Sequence, residues 1–375
     1  MLSTRPLLLV SGLLALASSP AAQNFNLDVG ANQSAPMPSV SYGAGANQPG
    51  QWFGVGTTAQ TPVGLLDIQG NPTGASITPT GGFGDFFVGN PVWNGDDGLL
   101  MEDATDVGGL WQGAPGGSIT WTVSGLLPGD YEIYTYALAP DFPAVYSTRV
   151  DVVGGAGGPQ ILSGNWTGSP HVLGQSFARH TIAVTTGQTV TIITDDPGTL
   201  ANNLATVNGF QFKYTPGEIG TPYCFGDGSG TVCPCGNTSA PGAGVGCLNS
   251  LGQGGRIAAR GIASIASDSV VLTGSGMPNS SALYFQGTVQ QSAGLGVVFG
   301  DGIRCAGGTI IRLGTKTNTS GTSSYPVGAD PLVSVRGLVS VPGTRTYQCW
   351  YRNAAAFCTV STFNLSNGVE VTWAP

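Results

Sequence analysis

All seven cysteines of this 375-residue chain lie after residue 223, and the stretch from Asn24 to Pro216 has none. One part of the chain must therefore hold its fold by burial and hydrogen bonding alone, while the other can be covalently stapled. Charge changes at the same place. Residues 24–216 carry 3 Lys/Arg against 14 Asp/Glu, a net of −11, whereas residues 217–375 carry 8 against 6, a net of +2. Two properties of different physical origin shift together, which marks a junction between two modules, 24–216 and 223–375. The intervening residues 217–222, Gly-Glu-Ile-Gly-Thr-Pro, have the turn chemistry of a short linker.

Residues 1–23 read as a secretory signal peptide. Arg5 supplies the positive charge, Leu7 to Ala17 is an apolar run, and Ser18 to Gln23 is small and polar, with a cut expected between Ala21 and Gln23. The apolar run is too short for a bilayer, which needs ~20 residues. Gly, Pro, Asn or Ser interrupts every later apolar run, so no membrane insertion is expected and the chain reads as secreted, extracellular or at the cell surface. Only 9% of residues are charged and 61 are Gly, yet 41% are hydrophobic, enough to argue against disorder. The acidic balance speaks against nucleic acid as a partner.

The apolar period in the first module is two. Ile119, Trp121 and Val123 alternate with polar neighbours, Leu126-Leu127-Pro128-Gly129-Asp130 makes a turn, and Tyr131, Ile133 and Thr135 alternate again. This predicts a hairpin. Ile182 and Val184, then Val190 and Ile192 around Thr186-Gly187-Gln188, predict a second, and Phe210, Phe212 and Tyr214 a closing strand. No stretch keeps a 3.6-residue apolar period, so the expected class is all-β, a sandwich.

FNLDVG (25–30), the Gln48-Pro49-Gly50-x-Trp52 stretch, LLDIQGNPTG (65–74), DDGLLMED (96–103), GLLPGDYEIYTYA (125–137) and NGFQF (208–212) occur in an order that resembles a domain of secreted proteins from planctomycete-like, myxobacterium-like and related bacteria. That domain is similar to the galactose-binding-like jelly rolls. The resemblance implies a jelly-roll fold and glycan or cell-surface binding, and it names no binding residue.

Two local features could carry ligand chemistry. Asp96, Asp97, Glu102, Asp103 and Asp106 are crowded enough to supply several of the six to eight oxygens that Ca²⁺ takes, although their spacing is not that of an EF-hand and a solvated loop is the plainer reading. Trp52, Trp93, Trp111 and Trp166 lie among Gly, Pro, Asn and Gln, where an indole can stack on the apolar face of a sugar; the plainer reading is that each lids an end of the sandwich. His171 and His180 are the only histidines, and the spacing of nine gives no reason to connect them.

In the second module Cys224, Cys233, Cys235 and Cys247 fall within 24 residues, followed by Cys305, Cys349 and Cys358. The only close pair is Cys233-x-Cys235 and the module has no histidine, which favours disulfides over zinc in an exported chain. Residues two apart rarely bond each other, so the first four cysteines are expected to pair as 224–233 with 235–247, or as 224–235 with 233–247, the former slightly preferred. Alternation predicts further strands, among them Leu332–Val341, Thr344–Arg352 and Val369–Trp373. Arg304, Arg312, Arg336, Arg345 and Arg352 read as solvent-face strand residues more readily than as an anion-binding ridge.

YCFGDGSGTVCPCGN (223–237), GCLNS (246–250), FGDGIRCAGG (299–308), YQCWYRN (347–353) and AFCTVSTFNLSNGVEVTW (356–373) resemble a Cys-rich C-terminal region shared by exported proteins of the same bacterial groups. The resemblance implies six disulfide cysteines, Cys224, Cys233, Cys235, Cys247, Cys305 and Cys358, with Cys305–Cys358 as a long bridge. It makes Cys349, where an apolar residue is usual, the free thiol. It also suggests surface retention or export sorting for this module.

No G-x-S-x-G elbow, P-loop, dinucleotide fingerprint or HExxH occurs. The expectation is a secreted non-catalytic binding protein that engages a glycan or cell-surface component through the first module, with Ca²⁺ as its one candidate cofactor. The alternatives are a structural matrix protein with no small ligand, and a glycoside hydrolase working through a carboxylate pair.

Overall fold

The computed structural model describes residues 23–30, 36–58, 60–82, 84–107, 117–197, 204–355 and 357–375. The signal-peptide residues 1–22 and Trp111 lie outside them. The fold is all-β. One compact unit ends at Gly217 and the other begins at Glu218. No helix among the described residues is long and apolar enough to cross a membrane.

The first unit contains β1 (Phe25–Val29), β2 (Phe53–Val55), β3 (Val63–Leu66), β4 (Pro72–Gly81), β5 (Gly84–Phe87), the short helix α1 (Gly95–Met101), β6 (Asp103–Asp106) and β7 (Ser118–Ser124). Then come β8 (Gly129–Tyr136), β9 (Thr148–Val152), β10 (Gln160–Leu162), β11 (Phe177–Val184), β12 (Val190–Asp195), β13 (Thr206–Val207) and β14 (Gly209–Pro216). Two sheets form a jelly-roll-like sandwich, one ordered β11-β8-β14-β1-β2 and the other β10-β9-β12-β7-β4-β3, with a small third sheet β13-β6-β5. Phe25, Leu27, Ile133 and Phe212 from the first sheet pack against Ile77, Trp121, Val150 and Ile192 from the second in one dry core. At about 25 cal/mol per Å² of apolar surface removed from water, such a core is the main force holding a module without staples.

The strands expected from alternation are present, but the two expected hairpins are not. β7 pairs with β12 and β4, whereas β8 pairs with β11 and β14. The Leu126–Asp130 turn therefore arches from one sheet to the other, and so does the 185–189 turn between β11 and β12. Period-two alternation shows which face of a strand is buried, not which neighbour it bonds. Here consecutive strands bury their apolar faces against each other across the sandwich.

The second unit is a smaller sandwich. A four-stranded sheet (Glu218–Ile219, Arg256–Arg260, Val271–Ser275, Ser323–Tyr325) faces a five-stranded one (Thr221–Tyr223, Phe363–Trp373, Gly343–Arg352, Ser281–Gly287, Ile311–Thr317). Ile257, Leu272, Tyr284, Tyr347 and Trp373 fill the space between. The expected linker 217–222 is mostly strand. Ile219 pairs with Ala259 in one sheet, and Thr221 pairs with Glu370 in the other. Gly220 (φ +80°) turns the chain between them, where a Cβ would stand 2.3 Å from the Glu370 carbonyl oxygen. The expected strand Leu332–Val341 instead opens with a helical turn, Val333–Arg336, anchored where the Ser334 N–H donates to Asp268 Oδ2 at 2.7 Å.

Three disulfides staple this unit: Cys224–Cys305, Cys233–Cys247 and Cys235–Cys358. Neither expected pairing of the first four cysteines occurs as a set, and Cys305 and Cys358 do not bond each other. The reason is tertiary. Tyr223, beside Cys224, pairs with Gly368 in the strand Phe363–Trp373 and sends its hydroxyl to the Cys305 carbonyl at 3.1 Å, which brings Cys224 to Cys305. Cys349 is unpaired and fully buried.

Candidate functional site

The small sheet β13-β6-β5 explains how neighbouring acids come to do different work. Side chains alternate along a strand, so Asp103 and Asp106, three residues apart on β6, face opposite ways. Thr57 and Thr105 share one face with Asp85, whose carboxylate accepts from the Thr57 N–H (3.0 Å) and hydroxyl (2.6 Å). Asp106 lies opposite Gly84 on β5 and Thr206 on β13. It faces a recess of about 280 Å³ whose walls include Phe86, Tyr146 and Leu204 with Asp85, Asp106 and Asp141. Tyr146, Asp106 and Asp141 line the same recess, and burial, then the charges of Asp141 and Asp106, raise the Tyr146 phenol above its ordinary value. The recess joins aromatic walls to acceptor-only groups.

Asp103 turns the other way and is fully buried, as is Asp28 on β1, and neither carboxylate has a hydrogen-bond partner among the described residues. Burial, with the Asp103 charge adding, pushes Asp28 well above the usual carboxylate range. Burial takes Asp103 up to about 6. Asp28 sits in register between Gly209 and Gly54, so no cross-strand side chain reaches it. Two residues earlier on the same face, Asn26 is fully satisfied by Gln48 and Gln211.

The remaining acids are also separately employed. Asp96 accepts from the Ser39 N–H (2.7 Å) and hydroxyl (2.6 Å). Glu102 Oε1 accepts from the Asn90 N–H at 2.8 Å. Asp97 Oδ1 accepts from the Tyr42 hydroxyl at 2.6 Å and lies 3.2 Å from His171 Nε2. The five carboxylates weighed as Ca²⁺ ligands, Asp96, Asp97, Glu102, Asp103 and Asp106, therefore do not converge into one cage. A short helix followed by a strand splays the five side chains, and no group of three metal-ligating residues assembles among the described residues.

Trp52, Trp93 and Trp166 converge, but as a buried layer over the outer face of the first sheet instead of an open platform. They are 5%, 3% and 2% exposed and pack with Leu100, Met101, Tyr134 and Tyr136. The indole N–H groups are spent internally: Trp52 donates to the Tyr42 carbonyl, Trp93 to that of Trp166, and Trp166 to that of Pro170. Gly168 (φ +98°) lets the loop pass Trp93, since a Cβ there would stand 2.9 Å from the Val92 carbonyl oxygen. His171 belongs to this layer, stacked on Trp166 with centroids 4.7 Å apart. His180 is buried elsewhere, its Nε2 2.9 Å from the Gly158 carbonyl oxygen. Sequence reasoning missed Tyr42, Asp85, Asp141 and Tyr146, because loop and edge residues carry no periodic signal.

No family model matches the chain, and no curated protein matches it. Among solved structures it is similar to the plant receptor-like kinase FER (10% identity over 93% of this chain and 96% of that one, TM-score 0.29). It is also similar to the ANX1 ectodomain from Arabidopsis thaliana (10%, 93% and 95%, TM-score 0.30). An exo-β-1,3-galactanase from Phanerochaete chrysosporium, solved with galactose, aligns over 40% of this chain and 32% of that one (16%, TM-score 0.20).

Proposed function

We propose that this is a secreted, non-catalytic binding protein whose first module holds a glycan in the Phe86–Tyr146 recess. The observation that carries the reading is that Tyr146, Asp106 and Asp141 line one cavity of about 280 Å³. A sugar presents C–H faces to aromatic rings and hydroxyl donors to carboxylates, and this recess offers both. Its volume is near the small end of ligand pockets, which suits one or two sugar rings. Three disulfides fit an oxidising, extracellular setting. In this reading the second module is the stapled partner common to exported proteins of planctomycete-like bacteria. A glycan array probed with the full chain, the Asp106→Asn variant and the Tyr146→Ala variant tests the assignment. Binding to a neutral glycan that falls at least tenfold in both variants supports it. Absence of binding to every glycan, or binding unchanged in both variants, overturns it. Release of reducing sugar would move the reading to a hydrolase.

A further inference from the structure

The outer face of a sandwich sheet is ordinarily polar. In the second module it is not. Leu283, Trp350 and Leu365 stand side by side in register on three adjacent strands of the five-stranded sheet, and Phe285 is paired with Arg312. The hairpin of Val297–Phe299 and Gly302–Arg304 closes one side, bringing the Arg304 guanidinium over the Phe299 ring at 5.7 Å. Together they line a recess of about 530 Å³.

The ion pairs of this module engage Arg256, Arg260 and Lys316, and neither Arg304 nor Arg312 has a carboxylate partner among the described residues. Arg304 Nε is buried with no hydrogen-bond partner among the described residues. A buried guanidinium N–H without an acceptor is costly, and a carboxylate matches its fork geometry. The recess does not end at Arg312. A second one, of about 740 Å³, shares Ile310 and Arg312 and continues past Val335 and Leu338, which are 62% and 74% exposed. A run of apolar wall broken by repeated arginines suits a chain-like ligand that carries a negative charge on each unit.

We infer that this face binds an acidic polysaccharide, one hexuronate ring lying against Trp350 and Phe285 with its carboxylate on Arg304 and Arg312. The site is separate from the Asp106 recess and of opposite charge.

Calorimetric titration of the full chain with oligogalacturonate, against a neutral malto-oligosaccharide of equal length, tests it. The expected result is uronate binding that weakens with added salt, falls at least tenfold in Arg304→Gln and in Arg312→Gln, and is unchanged in Asp106→Asn. Trp350→Phe, which keeps an aromatic wall, should weaken binding less than either arginine change. Lack of uronate binding by the parent, or an Arg304→Gln/Arg312→Gln double variant that binds like the parent, overturns the inference. Equal binding of a glucan whose only charges are sulfate esters overturns the uronate assignment. Failure here leaves the Asp106 recess untouched, and the reverse also holds.

Discussion

Asp97 Oδ1 lies 3.2 Å from His171 Nε2, and the Tyr42 hydroxyl closes the triangle at 2.6 Å from the carboxylate and 2.7 Å from the imidazole. Ser176 holds the far ring nitrogen at 3.1 Å. The clasp joins three distant segments, 36–52, α1 and 164–177, into the layer that covers the first sheet.

Burial by itself would raise the Asp97 carboxyl, but hydrogen bonds from His171, Tyr42 and Ser169 outweigh it and hold it below the ordinary value. A carboxyl depressed in the folded state contributes stability that is present above its unfolded pKa of ~4 and is lost as pH falls through the folded value. Asp97→Asn should cost about 1–3 kcal/mol at pH 7 and flatten the acid limb of the stability curve below pH ~4. Urea unfolding from pH 3 to 7 reads both effects.

Asp28 and Asp103 have the opposite sign. A carboxyl raised in the folded state binds its proton more tightly there, so its contribution is fully present below the unfolded pKa and lost as pH rises through the folded one. For Asp103 that window runs from ~4 to about 6. Asp28→Asn and Asp103→Asn should each raise stability at pH 8 by about 1–3 kcal/mol, with the gain vanishing near pH 4. Thermal unfolding of both variants at the two pH values checks it; equal stability to the parent at pH 8 would mean the pair is not charged there.

Buried indoles make a spectroscopic prediction. With Trp52, Trp93, Trp121 and Trp166 packed inside, iodide should quench little of the native fluorescence of a first module carrying Trp111→Phe. Trp166→Ala removes a side chain packed at a tilt against Trp93 and stacked on His171 and should cost about 3–5 kcal/mol. Tyr146→Ala should leave the unfolding midpoint nearly unchanged while abolishing glycan binding, which separates the site from the scaffold.

Cys349 is packed beside Met277, sulfur to sulfur at 3.7 Å, and burial pushes its thiol well up. It should resist iodoacetamide in the native protein and react only on unfolding. Cys349→Val should stay within about 1 kcal/mol of the parent, whereas Cys349→Ser buries a new hydroxyl and should cost about 2 kcal/mol. Non-reducing peptide mapping should recover the pairs 224–305, 233–247 and 235–358. In the loop-entropy account, removing 235–358 (separation 123) should cost more than removing 233–247 (separation 14), about 5 against 3 kcal/mol.

The strand cores around Trp121, Ile133, Ile192 and Phe212 were readable because a buried face imprints period-two alternation directly on sequence. Their partners were not. Leu126–Asp130 has hairpin chemistry, and only the packing of β7 against β8 across the core makes it an arch. Trp93 and Trp166 lie in Gly- and Pro-rich segments, and such local context does not report depth. The split of Asp103 from Asp106 was legible in principle, since both lie in the alternating segment Asp103–Asp106 and an odd spacing sends them to opposite faces. The disulfide pairs were beyond sequence, because Cys224 meets Cys305 only after Tyr223 joins the strand Phe363–Trp373. Arg304 and Arg312 looked like ordinary surface residues until the register placed them around Phe285 and Trp350.

The three bridges overlap along the chain. Every peptide bond between Cys224 and Cys358 falls inside the loop closed by Cys224–Cys305, the one closed by Cys235–Cys358, or both. One protease cut anywhere in that span would leave the two fragments joined, so the nicked module could not dissociate and its sandwich could re-close around the break. For a protein exposed to the hydrolases of its surroundings, damage of that kind would not by itself release the module's parts.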